Sequence, residues 1–297
     1  LYTEGIREYS TYPRIIAIAE IGWTPLNRKD YKDFERRMDN AYVRLDGHNI
    51  NYHIPQPEQP NGSCNFVAFT DKASLEFKTT RPVKVVYTID GSEPTPTSTI
   101  YSAPIEFTET STLKIRSVLP SGKMSPTRTI TVEKQELAPA KEVDKTTPGL
   151  NMEVAYGYFL NTAEFDAVKD RKSSVIKELK EIRSVEKTDE SMRGVKDFSS
   201  VATGYINIPE DGVYYVSSDN EEVWIDGKML VNNGGEVKRF SRHDSSVALA
   251  KGLHEFKVIF LGHIIGGWPS YWNDGSVKLR KADAKEFTPV TADMLVH

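Results

Sequence analysis

The sequence predicts a mainly β protein in which a short helical segment precedes two β-sandwiches, the second larger than the first. Apolar residues recur at helical spacing mainly within residues 1–53, and from residue 63 onward most short runs alternate between apolar and polar residues. Turn-forming residues separate these runs. Proline-bearing stretches at 54–62 and 134–148 predict linkers, so the sandwiches are expected at 63–133 and 149–283, with a tail at 284–297.

The helical segment is predicted from two apolar stripes. Ile15, Ile16, Ala19 and Trp23 form the first stripe. The breaker Thr24-Pro25-Leu26-Asn27 follows, with Thr24 or Asn27 as the expected N-cap of a second helix at 29–46.

The second helix is expected to bury Phe34, Met38, Ala41 and Leu45 on one face, because these residues are spaced three and four apart. Gly47 is the predicted C-cap.

Residues 63–133 predict a small sandwich of the immunoglobulin or fibronectin kind. An apolar or aromatic residue recurs at every second position, at Val83, Val85, Tyr87 and Ile89, before the turn at Asp90-Gly91. Short strands separated by turns are typical of such sandwiches.

Residues 149–283 also read as strands. Thr203–Ile208 and Val213–Ser217 are expected to pair, and Glu222–Ile225 is expected to turn back at Asp226-Gly227. Two further strands are predicted at Ser246–Ala250 and His254–Leu261, and one amphipathic helix around Ser174–Ile182.

Composition restricts the function classes. The net charge is -4 and basic residues form no block, so nucleic acid is not expected as a partner. The most apolar run, Ile15–Trp23, is too short for a membrane span. Cys64 is the single cysteine, which excludes a disulfide within the chain. The first residue is Leu rather than Met, so we expect a truncated chain whose native N-terminus, with any export signal, lies upstream.

The first segment resembles the end of the catalytic (β/α)8 barrel in family 20 glycoside hydrolases, the β-N-acetylhexosaminidases. Its helix carries Pro13, Arg14, Ala17, Glu20 and Trp23 at the spacing of the family motif Pro-Arg-x-x-Ala-x-x-Glu-x-x-Trp. The resemblance implies that residues 1–53 are the terminal helices of such a barrel.

The same resemblance implies a sugar-binding role for two residues at the chain start. Glu4 matches the family's sugar-binding glutamate, and Tyr2 stands where the family usually has Trp. Barrel enzymes place functional residues at the carboxyl ends of their strands.

The resemblance also implies where the chemistry is performed. The family uses an Asp-Glu pair in a His-x-Gly-Gly-Asp-Glu motif, in which Glu protonates the leaving oxygen and Asp orients the acetamido group of the substrate. The sequence contains no such motif, and its one adjacent pair, Asp189-Glu190, lies in a polar stretch predicted to be a solvated loop. We therefore expect no catalytic residue in this chain and no hydrolysis by it alone.

The small sandwich resembles the C-terminal domain found behind chitobiase and hexosaminidase barrels. The stretch from Tyr87 to Thr95 carries the likeness, followed by Tyr101, Pro104 and Ile105. A spacer or buttress role is implied, with a surface sugar contact as the alternative.

The larger sandwich resembles the protective-antigen-type (PA-14) domain, mainly over Phe198–Asp226. Sugar-binding members hold calcium through two successive aspartates, and the matching pair here is Asp219-Asn220. Replacing one carboxylate by an amide removes a negative charge, which lowers calcium affinity. We therefore expect no cofactor, and a turn-stabilising role for Asp219.

Aromatic residues in a glycine-rich stretch form a second candidate site. Trp268, Tyr271 and Trp272 lie within Gly266–Gly275. Either they stack on the apolar C–H face of a sugar ring, or two of them close the end of the sandwich, since Trp and Tyr bury large apolar areas.

Three functions stay open, the first of them favoured over the other two. The first is the C-terminal part of a periplasmic, cell-surface or secreted β-N-acetylhexosaminidase acting on N-acetylhexosamine-containing glycans. The second is a separate glycan-binding module, and the third is a structural spacer.

Overall fold

The computed structural model describes residues 3–60, 64–80, 82–183, 198–233, 245–262, 264–265, 268–269 and 275–297. Contacts divide the chain into two compact units. The first comprises residues 1–58, 77–103 and 113–129, and the second comprises 59–76, 104–112 and 130–297. The predicted class, mainly β with helices at the N-terminal end, is confirmed.

Three helices open the first unit: α1 (Glu4–Thr11), α2 (Arg14–Trp23) and α3 (Tyr31–Gly47). The N-cap of α3 is Asp30, whose Oδ1 accepts a hydrogen bond from the Asp33 backbone N–H at 2.9 Å, so the expected caps at Thr24 and Asn27 are wrong. None of the helices in the described ranges has both the length and the apolar character needed to cross a bilayer.

The two apolar stripes differ in burial. On α3, Met38 and Leu45 are buried as predicted, whereas Phe34 and Ala41 are only partly buried. On α2 no residue is buried, and Trp23 is 88% exposed. A helix that is apolar on several faces buries only the face that meets a partner, and on α2 only Ile16 joins the core of this unit.

The core of the first unit joins the helices to the small sandwich. Leu45, Tyr52, Ile54 and Leu119 are its buried members. The predicted linker at 54–62 therefore begins inside this core, and its Pro55 carbonyl accepts a hydrogen bond from Ser117 Oγ at 2.5 Å.

Within the described part of the chain, seven strands precede the larger sandwich: β1 (Phe66–Phe69), β2 (Ala73–Leu75), β3 (Lys84–Thr88), β4 (Thr99–Ile100), β5 (Ile105–Phe107), β6 (Ser111–Val118) and β7 (Arg128–Lys134). In the first unit β3 pairs antiparallel with β4 and β6. In the second unit β1 runs parallel to β7, and β2 pairs antiparallel with β5.

Among its described residues, the larger sandwich contains one further α-helix, α4 (Thr162–Asp166), and the following strands: β8 (Leu150–Tyr156), β9 (Lys172–Ile176), β10 (Phe198–Ile208), β11 (Gly212–Ser218), β12 (Glu222–Ile225), β13 (Lys228–Asn232), β14 (Ser245–Leu249), β15 (Gly252–Gly262), β16 (Ile264–Ile265), β17 (Trp268–Pro269), β18 (Val277–Lys281), β19 (Thr288–Pro289) and β20 (Leu295–Val296). One sheet has the order β13-β12-β15-β10-β8-β9, with β20 also on β10, and the other has the order β14-β11-β18-β19. Apolar residues from both sheets form one buried cluster, including Ile206, Val216 and Phe256.

Strand positions were predicted better than strand partners. β10 and β11 do not pair with each other, because β10 pairs with β15 and β8 while β11 pairs with β14 and β18. Alternation marks a buried face but does not choose the neighbouring strand. The predicted β12–β13 hairpin is confirmed, and positive φ angles at Asp226 and Gly227 match a tight hairpin turn.

The helix predicted around Ser174–Ile182 is wrong. Ser174 and Val175 lie in β9 at the edge of the first sheet, and only Leu179–Arg183 forms a short 3-10 helix. A short run of mixed apolar and polar residues is compatible with both the helical and the strand period. Here its pairing at the edge of the sheet makes it a strand.

The segments expected as second linker and tail both hydrogen-bond to the larger sandwich. Ala138 N–H donates to the Ala248 carbonyl at 3.0 Å, and its own carbonyl accepts from Ala250 N–H at 2.9 Å. In the expected tail, β20 pairs with β10 through Leu295 and Val296. Both segments therefore extend sheets, a role that their composition does not reveal.

Candidate functional site

Several chain connections meet at one end of the larger sandwich, here called the loop end. β11 ends there at Ser218, β15 ends at Gly262, and β12 and β18 begin at Glu222 and Val277. The predicted pair Asp219-Asn220 connects β11 to β12, so it lies at this end.

Asn220 is fully buried and forms hydrogen bonds to neighbouring chain connections. Its Nδ2 donates to the Gly275 carbonyl at 2.7 Å and to Ser218 Oγ at 3.1 Å. Ser218 Oγ donates in turn to the Ser276 carbonyl at 2.9 Å. The Asn220 amide thus joins β11 to the segment that leads into β18.

Asn233 extends this network to the end of β13. Its Nδ2 donates to the carbonyls of Ser218 and Asn220 at 2.9 and 2.8 Å. Its backbone N–H donates to the Glu221 carbonyl at 2.7 Å. The Asn233 Nδ2 group therefore donates to two connections at the loop end, whereas the buried Asn233 Oδ1 has no hydrogen-bond partner among the described residues.

The amide oxygen of Asn220 accepts hydrogen bonds from a buried arginine. Arg183 Nε and Nη2 lie 3.2 and 3.0 Å from Asn220 Oδ1, and the guanidinium carbon lies 4.7 Å from the centroid of the Phe260 ring. Asp219, the preceding residue, is exposed.

Calcium does not fit this donor set. Calcium ligands lie about 2.3–2.6 Å from the ion, so an ion at Asn220 Oδ1 would stand beside the permanently charged guanidinium. Among the described residues, no group of three His, Cys, Asp or Glu side chains could hold a metal ion.

Of the three aromatic candidates, the described residues include only Trp268. The backbone of Trp268 lies in β17, opposite Ile265 of β16, directly after β15 reaches the loop end. Tyr271 and Trp272 lie outside the described residues, as do Asp189, Glu190 and Tyr2. Sugar stacking and closure of the sandwich therefore both remain predictions for these side chains.

The structure adds an exposed apolar loop that the sequence analysis missed. After β8, Tyr158 is 55% exposed and Leu160 is 64% exposed. β8 reaches the loop end there, since Tyr156 pairs with Phe198 at the start of β10. This loop, residues 156–160, presents an amphipathic tyrosine beside an aliphatic side chain.

The 156–160 loop is held by the start of α4. Asn161 Oδ1 accepts from Glu164 N–H at 3.0 Å, and Glu164 Oε2 accepts from Leu160 N–H at 2.8 Å. Phe159 packs edge-on against the buried Phe165, with centroids 5.7 Å apart. The spacing of Asn161 and Glu164 is a capping signal that could have located this loop.

Two residues of the glycosidase-like motif, Arg14 and Glu20, connect the N-terminal helices through hydrogen bonds. Arg14 Nη1 donates to the carbonyls of Tyr9 and Ser10 at the end of α1. Glu20 accepts two hydrogen bonds from Arg37 of α3, at 2.7 and 3.0 Å, which lower the pKa of its carboxyl group. Glu4 is exposed in the first turn of α1.

Known families match two regions of the chain. Residues 68–129 match the chitobiase/β-hexosaminidase C-terminal domain, and residues 148–290 match the PA14 domain. The chain is also 50% identical over 295 residues to a β-hexosaminidase of Porphyromonas gingivalis (strain ATCC BAA-308 / W83). That alignment covers 99% of this chain and 38% of the relative.

Two solved structures are distantly similar to this chain. The PA14 domain of the antifreeze protein MpAFP has a TM-score of 0.34 and 15% identity, covering 55% of this chain and 95% of that domain. The Epithelial Adhesin 9 A domain from Candida glabrata, in complex with Galβ1-3GlcNAc, has a TM-score of 0.32 and 11% identity, covering 55% and 94%. The family and relative matches confirm both module resemblances and fit a C-terminal portion of a β-hexosaminidase.

Proposed function

We propose that this chain is a non-catalytic portion of a β-N-acetylhexosaminidase that removes terminal N-acetylhexosamine from glycans by substrate-assisted hydrolysis. The 50% identity to a β-hexosaminidase along nearly the whole chain carries the proposal. The motif from Pro13 to Trp23 also supports it, because unlike residue types recur at the spacing of barrel-end helices.

In this proposal the acid and the acetamido-orienting carboxylate come from outside these 297 residues. The sequence has no His-x-Gly-Gly-Asp-Glu motif. Glu4, and Tyr2 before it, are proposed to contact the sugar only when the rest of the barrel is present.

Hydrolysis of an aryl N-acetylglucosaminide tests this division. The 297-residue chain is expected to show no turnover, whereas a longer protein that carries the missing motif is expected to be active. In that longer protein, Glu4→Gln should reduce kcat/KM, whereas Glu35→Gln, a matched change on the exposed face of α3, should not. Turnover by the chain alone would refute the proposal.

A second proposed function is glycan binding at the loop end of the larger sandwich. It is favoured by the exposed Tyr158 and Leu160 and by the aromatic stretch that contains Trp268, Tyr271 and Trp272. Tyrosine and tryptophan rings combine an apolar face with a hydrogen-bonding edge, which suits sugar rings. The proposed partners are N-acetylhexosamine-containing glycans, met in the periplasm, at the cell surface or outside the cell.

An immobilised glycan panel tests this second function. Trp268→Ala and Tyr158→Ala should each weaken binding, whereas Trp23→Ala, which removes an exposed tryptophan from α2, should leave binding unchanged. A panel with no retained glycan would favour a structural spacer instead.

A further inference from the structure

The loop end holds an internal cation at the place where the sequence resemblance implies a calcium site. Arg183 is buried, and two of its N–H donors converge on Asn220 Oδ1 at 3.2 and 3.0 Å. Because the guanidinium stays protonated at all relevant pH values, this positive charge is permanent.

The surroundings of Arg183 accommodate its side chain closely. Gly275 has a φ of +67°, and a Cβ at that position would lie 2.8 Å from Arg183 Nε. On another side the guanidinium stacks over the Phe260 ring. A glycine in a left-handed conformation therefore allows a buried arginine to pass beneath the chain that leads into β18.

Through its hydrogen bonds to Asn220, Arg183 is linked to several of the chain connections at the loop end. The Asn220 side chain accepts from Arg183 and donates to Gly275 and Ser218, while its backbone carbonyl accepts from Asn233. In a calcium site the ion draws separate oxygen-bearing segments together. Here one guanidinium binds the central amide of the network.

We propose that Arg183 replaces a divalent cation at this end of the sandwich, so that the larger sandwich folds and holds its loop end without calcium. The proposal concerns a positioning residue and does not depend on whether a glycan binds there. Its readouts therefore separate its failure from failure of the glycan proposal.

Thermal unfolding of the whole chain with a chelator or with calcium is the first test. Calcium is supplied at roughly 10 mM, above the range in which extracellular calcium modules bind. The wild-type Tm should change by less than about 1 °C, because a ligand that does not bind the native state does not stabilise it. A Tm that falls in the chelator and is restored by calcium would overturn the proposal.

A double-mutant cycle tests the contact itself. Arg183→Met keeps an unbranched side chain against Phe260 but removes the charge and the donors, and Asn220→Ala removes the acceptor. Each single variant should lower Tm. The Tm loss of the double variant should be clearly smaller than the sum of the two single losses, because both substitutions remove the same contact.

Arg280 provides a matched control for the cycle. It is also buried in this sandwich, stacks over Tyr215 and Phe287, and donates to the Ala284 carbonyl. Arg280→Met combined with Asn220→Ala should be additive. Additive losses in both cycles would overturn the proposal, and if Arg183→Met does not fold, the chelator test on the wild-type chain still decides.

Discussion

His254 and Asp226 form a pair in which the imidazole is fully buried and its Nδ1 lies 2.6 Å from Asp226 Oδ2. The other ring nitrogen, Nε2, lies 2.8 Å from the Ala250 carbonyl, which can only accept, so Nε2 carries a proton. Asp226 also accepts from Glu255 N–H at 2.9 Å, so the pair fixes the β12–β13 turn to β15.

The first prediction concerns this pair. Asp226→Asn keeps a residue that tolerates the left-handed backbone, here φ 48°, but removes the charge from a buried hydrogen bond. The free energy of unfolding should fall by about 1–3 kcal/mol, measured by urea denaturation. Asp211→Asn, the same change in an exposed turn, is the control and should cost less; equal losses would contradict the special role of the buried pair.

Alkaline pH provides a second prediction through Tyr215. Burial raises the pKa of its hydroxyl to about 12, with nearby Cys64 acting in the same direction and Arg280 opposing. Between the unfolded value of about 10 and this folded value, the unfolded chain releases a proton that the folded chain retains. The contribution of the Tyr215 hydroxyl to the free energy of unfolding is therefore fully present below about pH 10. It declines as pH rises toward 12, by roughly 3 kcal/mol in all.

Tyr215→Phe should remove this part of the alkaline loss. Urea midpoints at about pH 8 and pH 11 measure it, because the variant should lose less stability between them than the wild-type chain. Tyr205→Phe, on the opposite sheet, should retain the wild-type difference. If both variants lost stability equally with pH, Tyr215 would not be the group responsible.

A third prediction tests the packing of the C-terminal strand. At Gly204 in β10, an added Cβ would lie 2.5 Å from the Val296 carbonyl oxygen and 2.7 Å from Leu150 Cδ2. Gly204→Ala should therefore displace β20 and lower the free energy of unfolding by about 1–3 kcal/mol.

Gly22→Ala is the matched control for that change. Apart from the adjacent residues and the backbone of the helix itself, no heavy atom lies within 4 Å of an added Cβ at this position, so alanine should raise stability by up to about 1 kcal/mol. Hydrogen exchange at Leu295 and Val296 should increase only in Gly204→Ala. Unchanged exchange there would argue against an integral C-terminal strand.

The fourth prediction concerns the attachment of β1 to the larger sandwich. Ser246 Oγ is buried and accepts a hydrogen bond from Ala68 N–H at 2.7 Å. Ser246→Ala leaves that donor without its acceptor and should cost about 1–3 kcal/mol. Limited proteolysis within 135–148 should become faster, whereas Ser173→Ala in the exposed edge strand β9 should leave the cleavage rate unchanged.

Features set by neighbouring residues were predictable. The spacing of Met38 and Leu45 identified a buried helix face, and Asp226-Gly227 identified the tight turn between β12 and β13. Both depend on local geometry, namely the period of a helix and the backbone angles of a short turn.

Long-range relationships were not predictable. Arg183 and Asn220 are 37 residues apart, and no short pattern links them. The alternation in β10 and β11 showed that each strand has a buried face, but not that the chain crosses from one sheet to the other between them. Strand partners depend on the packing of the whole sandwich rather than on the intervening turn.

The sequence by itself therefore determined the order of the modules, their likeness to hexosaminidase domains, and which segments carry aromatic and acidic candidates. Only the tertiary structure decided that Asn220 turns inward to a buried guanidinium, and that the expected tail adds a short strand beside β10. Local periodicity acts over a few residues, whereas these contacts arise only when distant segments share one core.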